Sequence, residues 1–271
     1  MSIERRRTDA VGTRVGNDDF YRRLYDDKAE YVARRDHTSF EASIIRLEVD
    51  AFKIPNLVAT IPHGFEYSSV VEIGCATGEL LAAFPAPRVA RKVGFDISQQ
   101  NVACARSRYP GIEFYSSDFH EFRQSADIVV LSDVLEHVPD ACGMLRDAGQ
   151  LGRLVLVNLP LEDNWLNRAR DYGPDDVSGH LRRYSLDEGL ALVDAAGLRV
   201  HQWRQVWIHE TECDQERRRL RRQALGSAFS GGGMAAVVKQ CVWSVATLVR
   251  PVGRRMFASN LFVSASRRET P

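Results

Sequence analysis

Five short apolar runs that alternate with helical segments constrain this 271-residue chain more than any other feature. They are Ser69–Ile73, Lys92–Ile97, Ile112–Tyr115, Asp127–Ser132 and Arg153–Asn158. Continuous apolarity marks strands buried on both faces. Alternation with helices predicts an α/β class, a doubly wound and mostly parallel sheet whose ligands sit at the carboxyl ends of the strands. Upstream, Phe20, Leu24, Tyr25, Tyr31, Ile44, Ile45, Leu47, Val49 and Phe52 recur at helical spacing and predict helices able to cap that end. Downstream, Leu186–Ala196 reads as a helix stopped by Gly197, and Leu198–Ile208 as a strand with Trp203 and Trp207 on alternating positions. Met234–Val249 reads as an apolar helix after the hinge Ser230–Gly233, and Asn260–Ser264 as a closing seventh strand. One domain is expected: a leader and helical cap over 1–61, the α/β core over 62–210, a helical insertion over 211–258, and the closing strand and tail over 259–271.

The first strand runs into Glu72-Ile-Gly74-Cys-Ala76-Thr-Gly78, a loop tight enough for backbone to approach a ligand. A dinucleotide fingerprint needs Gly-x-Gly-x-x-Gly, with a helix start under the pyrophosphate. Here the spacing is Gly74-x-x-x-Gly78, with Ala76 between. Glu72 would repel a pyrophosphate and attract an ammonium or sulfonium. The loop therefore fits S-adenosylmethionine better than NAD.

Composition sets the outer bounds. An apolar content of 44% is enough for a full core, and 36 basic residues cancel 36 acidic ones, so nothing global points to nucleic acid or membrane. The cancellation hides a split, because residues 201–271 hold 12 Lys and Arg against 5 Asp and Glu. Five cysteines without a Cys-x-x-Cys pair argue against a disulfide framework and a zinc cluster, and predict a reducing, cytoplasmic setting. Met1–Asp9 lacks the apolar stretch of an export signal. The basic run Glu216–Arg222 reads as a solvated helix face in preference to a site for phosphate, RNA or acidic lipid. Met234–Val249 contains Lys239 and is too short to span a bilayer; it packs on the core, covers an apolar pocket, or lies on a membrane surface. Peripheral membrane contact through 217–250 stays open.

Over roughly residues 65–210, the motif order resembles the class I S-adenosylmethionine-dependent methyltransferases. The resemblance implies their Rossmann-like seven-stranded fold, and donor binding by Glu72, Gly74, Ala76 and Gly78. It implies that Asp96 binds the ribose hydroxyls and Asp118 the adenine amino group, with Ile97 and Phe119 on the ring faces. Ser132-Asp133-Val-Leu-Glu136-His137-Val-Pro is similar to the post-strand motif of a broad subgroup, where Ser132 and Asp133 would line the methionine moiety. Each of these carboxylates also has a plain alternative as a helix N-cap. Tyr21, Tyr25 and Tyr31 read as helix-packing residues in preference to a lid.

Transfer to a hydroxyl needs a base, and the candidates are His137, beside the donor methyl, and His180 in Ser-Gly-His180-Leu-Arg-Arg-Tyr-Ser. O-methylation of a small-molecule, saccharide or lipid-linked acceptor is expected ahead of N-methylation. In a second reading, Asp133, Glu136 and His137 share one helical face and, with His180, bind Mg²⁺ or Mn²⁺. That arrangement resembles RNA 2′-O-methyltransferases and ubiquinone-pathway O-methyltransferases. A non-catalytic cofactor-binding scaffold is the alternative from another class.

Overall fold

The computed structural model describes residues 25–268 apart from 28, 86–88, 123, 165–166, 174–175, 177, 209–210 and 226–258. The leader, Tyr21, the glycine hinge and the Met234–Val249 helix lie outside the described residues. Seven strands form one sheet: β1 (Ser69–Ile73), β2 (Arg91–Phe95), β3 (Glu113–Tyr115), β4 (Ala126–Ser132), β5 (Gly152–Leu161), β6 (Leu198–Val206) and β7 (Ser259–Arg267). Their order is β3-β2-β1-β4-β5-β7-β6, with β7 antiparallel to both neighbours and the other pairs parallel. This is the expected doubly wound α/β sheet. Strand order reverses between β1 and β4, which opens a crevice at their carboxyl ends.

Alternation along β1 splits the core in two. Val71 and Ile73 pack on the face of α6 (Ala141–Leu151) and α7 (Leu186–Ala195), with Leu145, Ala148 and Val193. Val70 packs on the opposite face, with Phe52, Leu57, Leu81 and Val102. Those residues come from the N-terminal segments, from α4 (Glu79–Ala83) and from α5 (Gln99–Arg108). Period-two geometry therefore turns Glu72 toward the N-terminal helices.

Those helices are α1 (Ala29–Arg35), α2 (Phe40–Glu48) and α3 (Ile54–Val58), with a π turn at Val49–Lys53 between the last two. Pro55 lacks the N–H that a regular helix would use at that point. The ladder slips instead, and the Ile54 N–H donates to Val49 O, five residues back.

Local signals set several boundaries. Ser185 and Glu188 form a reciprocal capping box at the start of α7, and Gly197, at φ 77°, ends it as expected. The fifth strand is longer than its apolar run predicts, since antiparallel pairing with β7 carries the ladder on to Leu161. The sixth ends at Val206. Trp203 is 49% exposed and Trp207 fully buried, so the two do not share the face that alternation implied. Beyond β6, α8 (Glu212–Leu225) begins the insertion and packs on α2. Among the described residues no helix is long and apolar enough to cross a membrane.

Candidate functional site

A cavity of ≈ 870 Å³ lies at the carboxyl ends of β1, β2 and β4, where the topology predicts it. Its floor is the loop after β1. Gly74 and Gly78 have φ 78° and 89°, and Ala76 has φ 45°. The N–H groups of Gly74 and Cys75 both donate to Phe95 O, at 2.7 and 2.9 Å, which pins the loop to the end of β2. A Cβ on Gly74 would stand 2.5 Å from a Val134 methyl. Gly78 is not part of the cavity wall. Its position is set by φ and by Phe114, whose ring would lie 2.8 Å from an added Cβ.

Of the other expected donor-binding residues, Glu72, Gly74, Ala76, Asp96, Ile97, Asp118, Phe119, Ser132 and Asp133 all line the cavity. Asp96 accepts from the N–H groups of Ala76 and Ser98, at 2.8 and 2.9 Å. Those bonds leave lone pairs on both oxygens for a diol. Asp118 is the N-cap of a 3₁₀ turn (Phe119–Glu121), accepts from the His120 N–H at 3.0 Å and pairs with the His120 ring. The capping alternative therefore holds for Asp118, although the residue also lines the cavity.

Glu72 is the test of whether S-adenosylmethionine fits. Its side chain is 3% exposed and, among the described residues, Oε2 has no hydrogen-bond partner. Burial pushes the carboxyl up to about 8, against the pull of the Lys53 ammonium. A cation brought to this wall would satisfy the orphaned oxygen, as a pyrophosphate could not. The residues present fit the donor.

Asp133 has a different neighbourhood from the one expected. The segment after β4 is a turn and not a helix, with Asp133 at φ 55°, so Asp133, Glu136 and His137 do not share a helical face. The Asp133 carboxylate pairs with Lys53 Nζ at 2.6 Å and accepts from Asn158 Nδ2 at 3.2 Å. Asn158 also donates to Ser132 Oγ at 3.0 Å and accepts from Asn260 Nδ2 at 2.8 Å, a polar ladder across β4, β5 and β7.

Glu136, His137, Glu162 and His180 also line the cavity. His137 Nδ1 donates to Gly179 O at 3.1 Å, and its ring meets that of His180 edge-on at 4.7 Å and that of Tyr25 at 6.0 Å. Burial and the neighbouring His180 lower the His137 pKa to about 4, so it is neutral at physiological pH and less basic than an ordinary histidine. His180 Nδ1 lies 2.6 Å from Glu162 Oε2. Arg170 holds Glu162 at 2.9 Å and grips Asp176 with two bonds of 2.8 Å; Asp176 in turn accepts from the His180 N–H at 3.1 Å. The loop carrying His180 is thus clamped at both ends. Glu136 is 1% exposed, neither carboxylate oxygen has a hydrogen-bond partner among the described residues, and burial raises its pKa well above the usual range.

Among the described residues, Glu136, His137 and His180 offer three potential metal-ligand atoms within 4.8 Å of one another. Asp133, the fourth member of the expected set, is instead held by Lys53. Sequence reasoning missed Lys53, Asn158 and Glu162. The one available signal was a lone lysine between Phe52 and Ile54 in an apolar helical stretch. Arg217, from the basic run, lines the cavity and pairs with Glu48 of α2 at 2.8 Å, while Arg219 pairs with Glu216 on the outer face at 3.2 Å.

Residues 42–203, more than half of the chain, match the family described as "Methyltransferase domain". The chain is 27% identical over 147 residues to the bifunctional methionine biosynthesis protein MetXA/MetW of Rhodopirellula baltica, a match covering 47% of this chain and 22% of that protein. It thus spans about a fifth of the length of the curated relative it matches. In fold, it is similar to Haemonchus contortus Phospholethanolamine N-methyltransferase 2 (TM-score 0.60, 14% identity, 92% of this chain and 60% of that one). It is also similar to the cyclopropane synthase MmaA2 from Mycobacterium tuberculosis (TM-score 0.59, 12% identity, 92% and 98% covered). At such identities the structural likeness bears on fold alone.

Proposed function

The chain belongs to the methyltransferase-domain family and is a class I S-adenosylmethionine-dependent methyltransferase, and from that premise we propose that it methylates an oxygen of a small-molecule, saccharide or lipid-linked acceptor, with His180 as the base. The observation that carries this reading is the 2.6 Å contact between His180 Nδ1 and Glu162. The contact sets the tautomer, with Nδ1–H donating to the carboxylate and Nε2 left to accept. When bound, S-adenosylmethionine supplies an electrophilic methyl on its sulfonium. The protein's part is to align the acceptor oxygen at about 3 Å from that carbon and to exclude water. As the oxygen gains the methyl, His180 Nε2 takes its proton, and Glu162 stabilises the imidazolium. Neutral His137, fixed by its bond to Gly179 O, orients the acceptor hydroxyl.

Incubating cell extract with methyl-labelled donor and fractionating the products tests the reading. Label is expected in small molecules or lipids, and is lost with His180→Gln. Label confined to RNA or protein, or full labelling by the variant, would overturn it.

A second reading has a specific observation behind it, the buried Glu136 beside two histidines, whose carboxylate lies 3.8 Å from His137 Nε2 and has no hydrogen-bond partner among the described residues. Glu136, His137 and His180 would hold a divalent ion that lowers the acceptor's pKa, as an RNA 2′-O-methyltransferase would require. Loss of labelling on EDTA treatment, restored by Mg²⁺ or Mn²⁺, would favour this reading. Contact with a membrane through 217–250 is proposed only for a lipid-linked acceptor, and flotation with anionic vesicles checks it.

A further inference from the structure

Three polar side chains of the cavity wall have no part in the reading above: Glu48 of α2, Arg217 of α8 and Asn260 of β7. Asn260 stands on the far side of β4 from the donor loop, in register with Pro160, just ahead of the Glu162 that holds His180. Its Nδ2 donates to Asn158 at 2.8 Å, and among the described residues nothing donates to its Oδ1. Arg217 is the arginine of the α8 run that enters this cavity, whereas Arg218, Arg219 and Arg222 line a separate groove on the helix. It donates from Nη1 to Glu48 Oε1 at 2.8 Å and from Nη2 to Asp214 at 3.2 Å, and its Nε has no hydrogen-bond partner among the described residues. Arg217 and Glu48 are 18% and 19% exposed, so both stay within reach of a ligand. Arg217 and Arg218 balance Glu48 and Asp214, which leaves this stretch of wall without net charge. Ile45, Phe52, Pro160 and Ile208 line the same cavity.

A wall of open donors, open acceptors and aliphatic surface suits one ligand chemistry better than others. An anion would meet Glu48 as a like charge, with Arg217 already neutralised. An apolar acceptor would exclude water from a guanidinium, a carboxylate and an amide without pairing them. A hydroxyl serves both needs, because it donates one bond and accepts others. The C–H faces of a sugar ring also pack against aliphatic side chains. We propose that the acceptor is polyhydroxylated, a free or linked saccharide, whose hydroxyls are held by Glu48, Arg217 and Asn260 while one is presented to His180 Nε2. Glu48 Oε2 and Asn260 Oδ1 accept from the ligand, and Arg217 donates to it. The Glu48–Arg217 pair also joins α2 to α8, so the N-terminal cap and the insertion build the acceptor wall together. The inference rests on the reading of the cavity as a site of methyl transfer to oxygen, and narrows its acceptor.

Chemical treatment of cell extract tests the acceptor class. Periodate cleaves vicinal diols, so extract oxidised with periodate, and quenched before methyl-labelled donor is added, should lose most of its labelling relative to a mock-treated sample. Acid hydrolysis of the native product should release the label in a methylated monosaccharide. Asn260→Leu and the double variant Glu48→Leu/Arg217→Met, which removes both charges together, test the wall itself. Each should weaken use of the acceptor roughly ten- to a hundredfold, the range for hydrogen bonds to charged or amide groups, so that concentrated extract is needed to recover labelling. S-adenosylhomocysteine affinity, measured by calorimetry, should stay native in both. The two variants perturb different elements, and the periodate arm needs neither, so the test stands if one fails to fold. Labelling that survives periodate, label released by ribonuclease as a nucleotide or left in a non-sugar fragment, or native acceptor use by either folded variant would overturn the proposal. Absence of any labelled product from the native protein would instead remove the methyl-transfer reading on which it stands.

Discussion

Burial holds the Glu72 carboxyl near 8 in the donor-free protein, and the consequence for stability has a definite sign. The folded state binds a proton that the unfolded state has already released above its ordinary pKa near 4.5. The contribution of Glu72 is therefore fully favourable below that value, and is lost as pH rises through about 8. Glu72→Gln should flatten the fall of Tm between pH 5 and pH 9, an effect on the order of several kcal/mol at the alkaline end. It should also weaken S-adenosylhomocysteine binding. A variant whose Tm tracks the native pH curve would contradict the assignment. Ala76 raises a separate point. At φ 45° it occupies a region that costs a non-glycine residue about 1 kcal/mol. Ala76→Gly is expected to recover roughly that amount in urea denaturation. Asp96→Ala removes the acceptor for both Ala76 N–H and Ser98 N–H and should abolish binding of S-adenosylhomocysteine by calorimetry.

At the scale of elements, the site depends on how loops are held at strand ends. The β1–α4 loop takes its shape from Gly78, where φ 89° and the Phe114 ring at 2.8 Å both exclude a side chain. Gly78→Ala should cost about 2–3 kcal/mol, as positive-φ strain and overpacking add. The loop between β5 and α7 is held by Arg170, which ties Glu162 to Asp176. Arg170→Met leaves both acids without their shared cation. Hydrogen exchange at the amides of Ser178 and His180, which donate to Asp176, should then accelerate while exchange in β4 and β5 is unchanged. Exchange rates equal to the native ones would show that the clamp is not what orders this loop. The helix starts were more legible. Ser185 and Glu188 stand in the three-residue spacing of a capping box, a signal that needs no tertiary contact.

The described residues form one sheet with two covered faces, and the cavity sits at the carboxyl ends of its central strands. If the cavity is the donor site, S-adenosylhomocysteine at 100 Kd is expected to add about 2.7 kcal/mol of stability and to raise Tm by several degrees, and NAD is not; a thermal shift equal for both would contradict the assignment. The apolar runs, the glycine loop and the ordered acids Glu72, Asp96 and Asp118 were legible in the chain because each depends on near neighbours: strand burial on local composition, the loop on φ, the strand-end acids on position within their own βα unit. From these the sequence by itself determined the α/β sheet and the methyl donor. What only the tertiary structure decided is the wiring around His137 and His180. Asp133 went to Lys53 and not to a metal set, His180 came under Glu162, and His137 was buried against His180 until it lost the basicity its type suggests. Those partners are brought together by the packing of the N-terminal helices and the β5–α7 loop over the strand ends. Distance and burial, which set the strength of every charge pair and the pKa of every group there, exist only once the chain has folded.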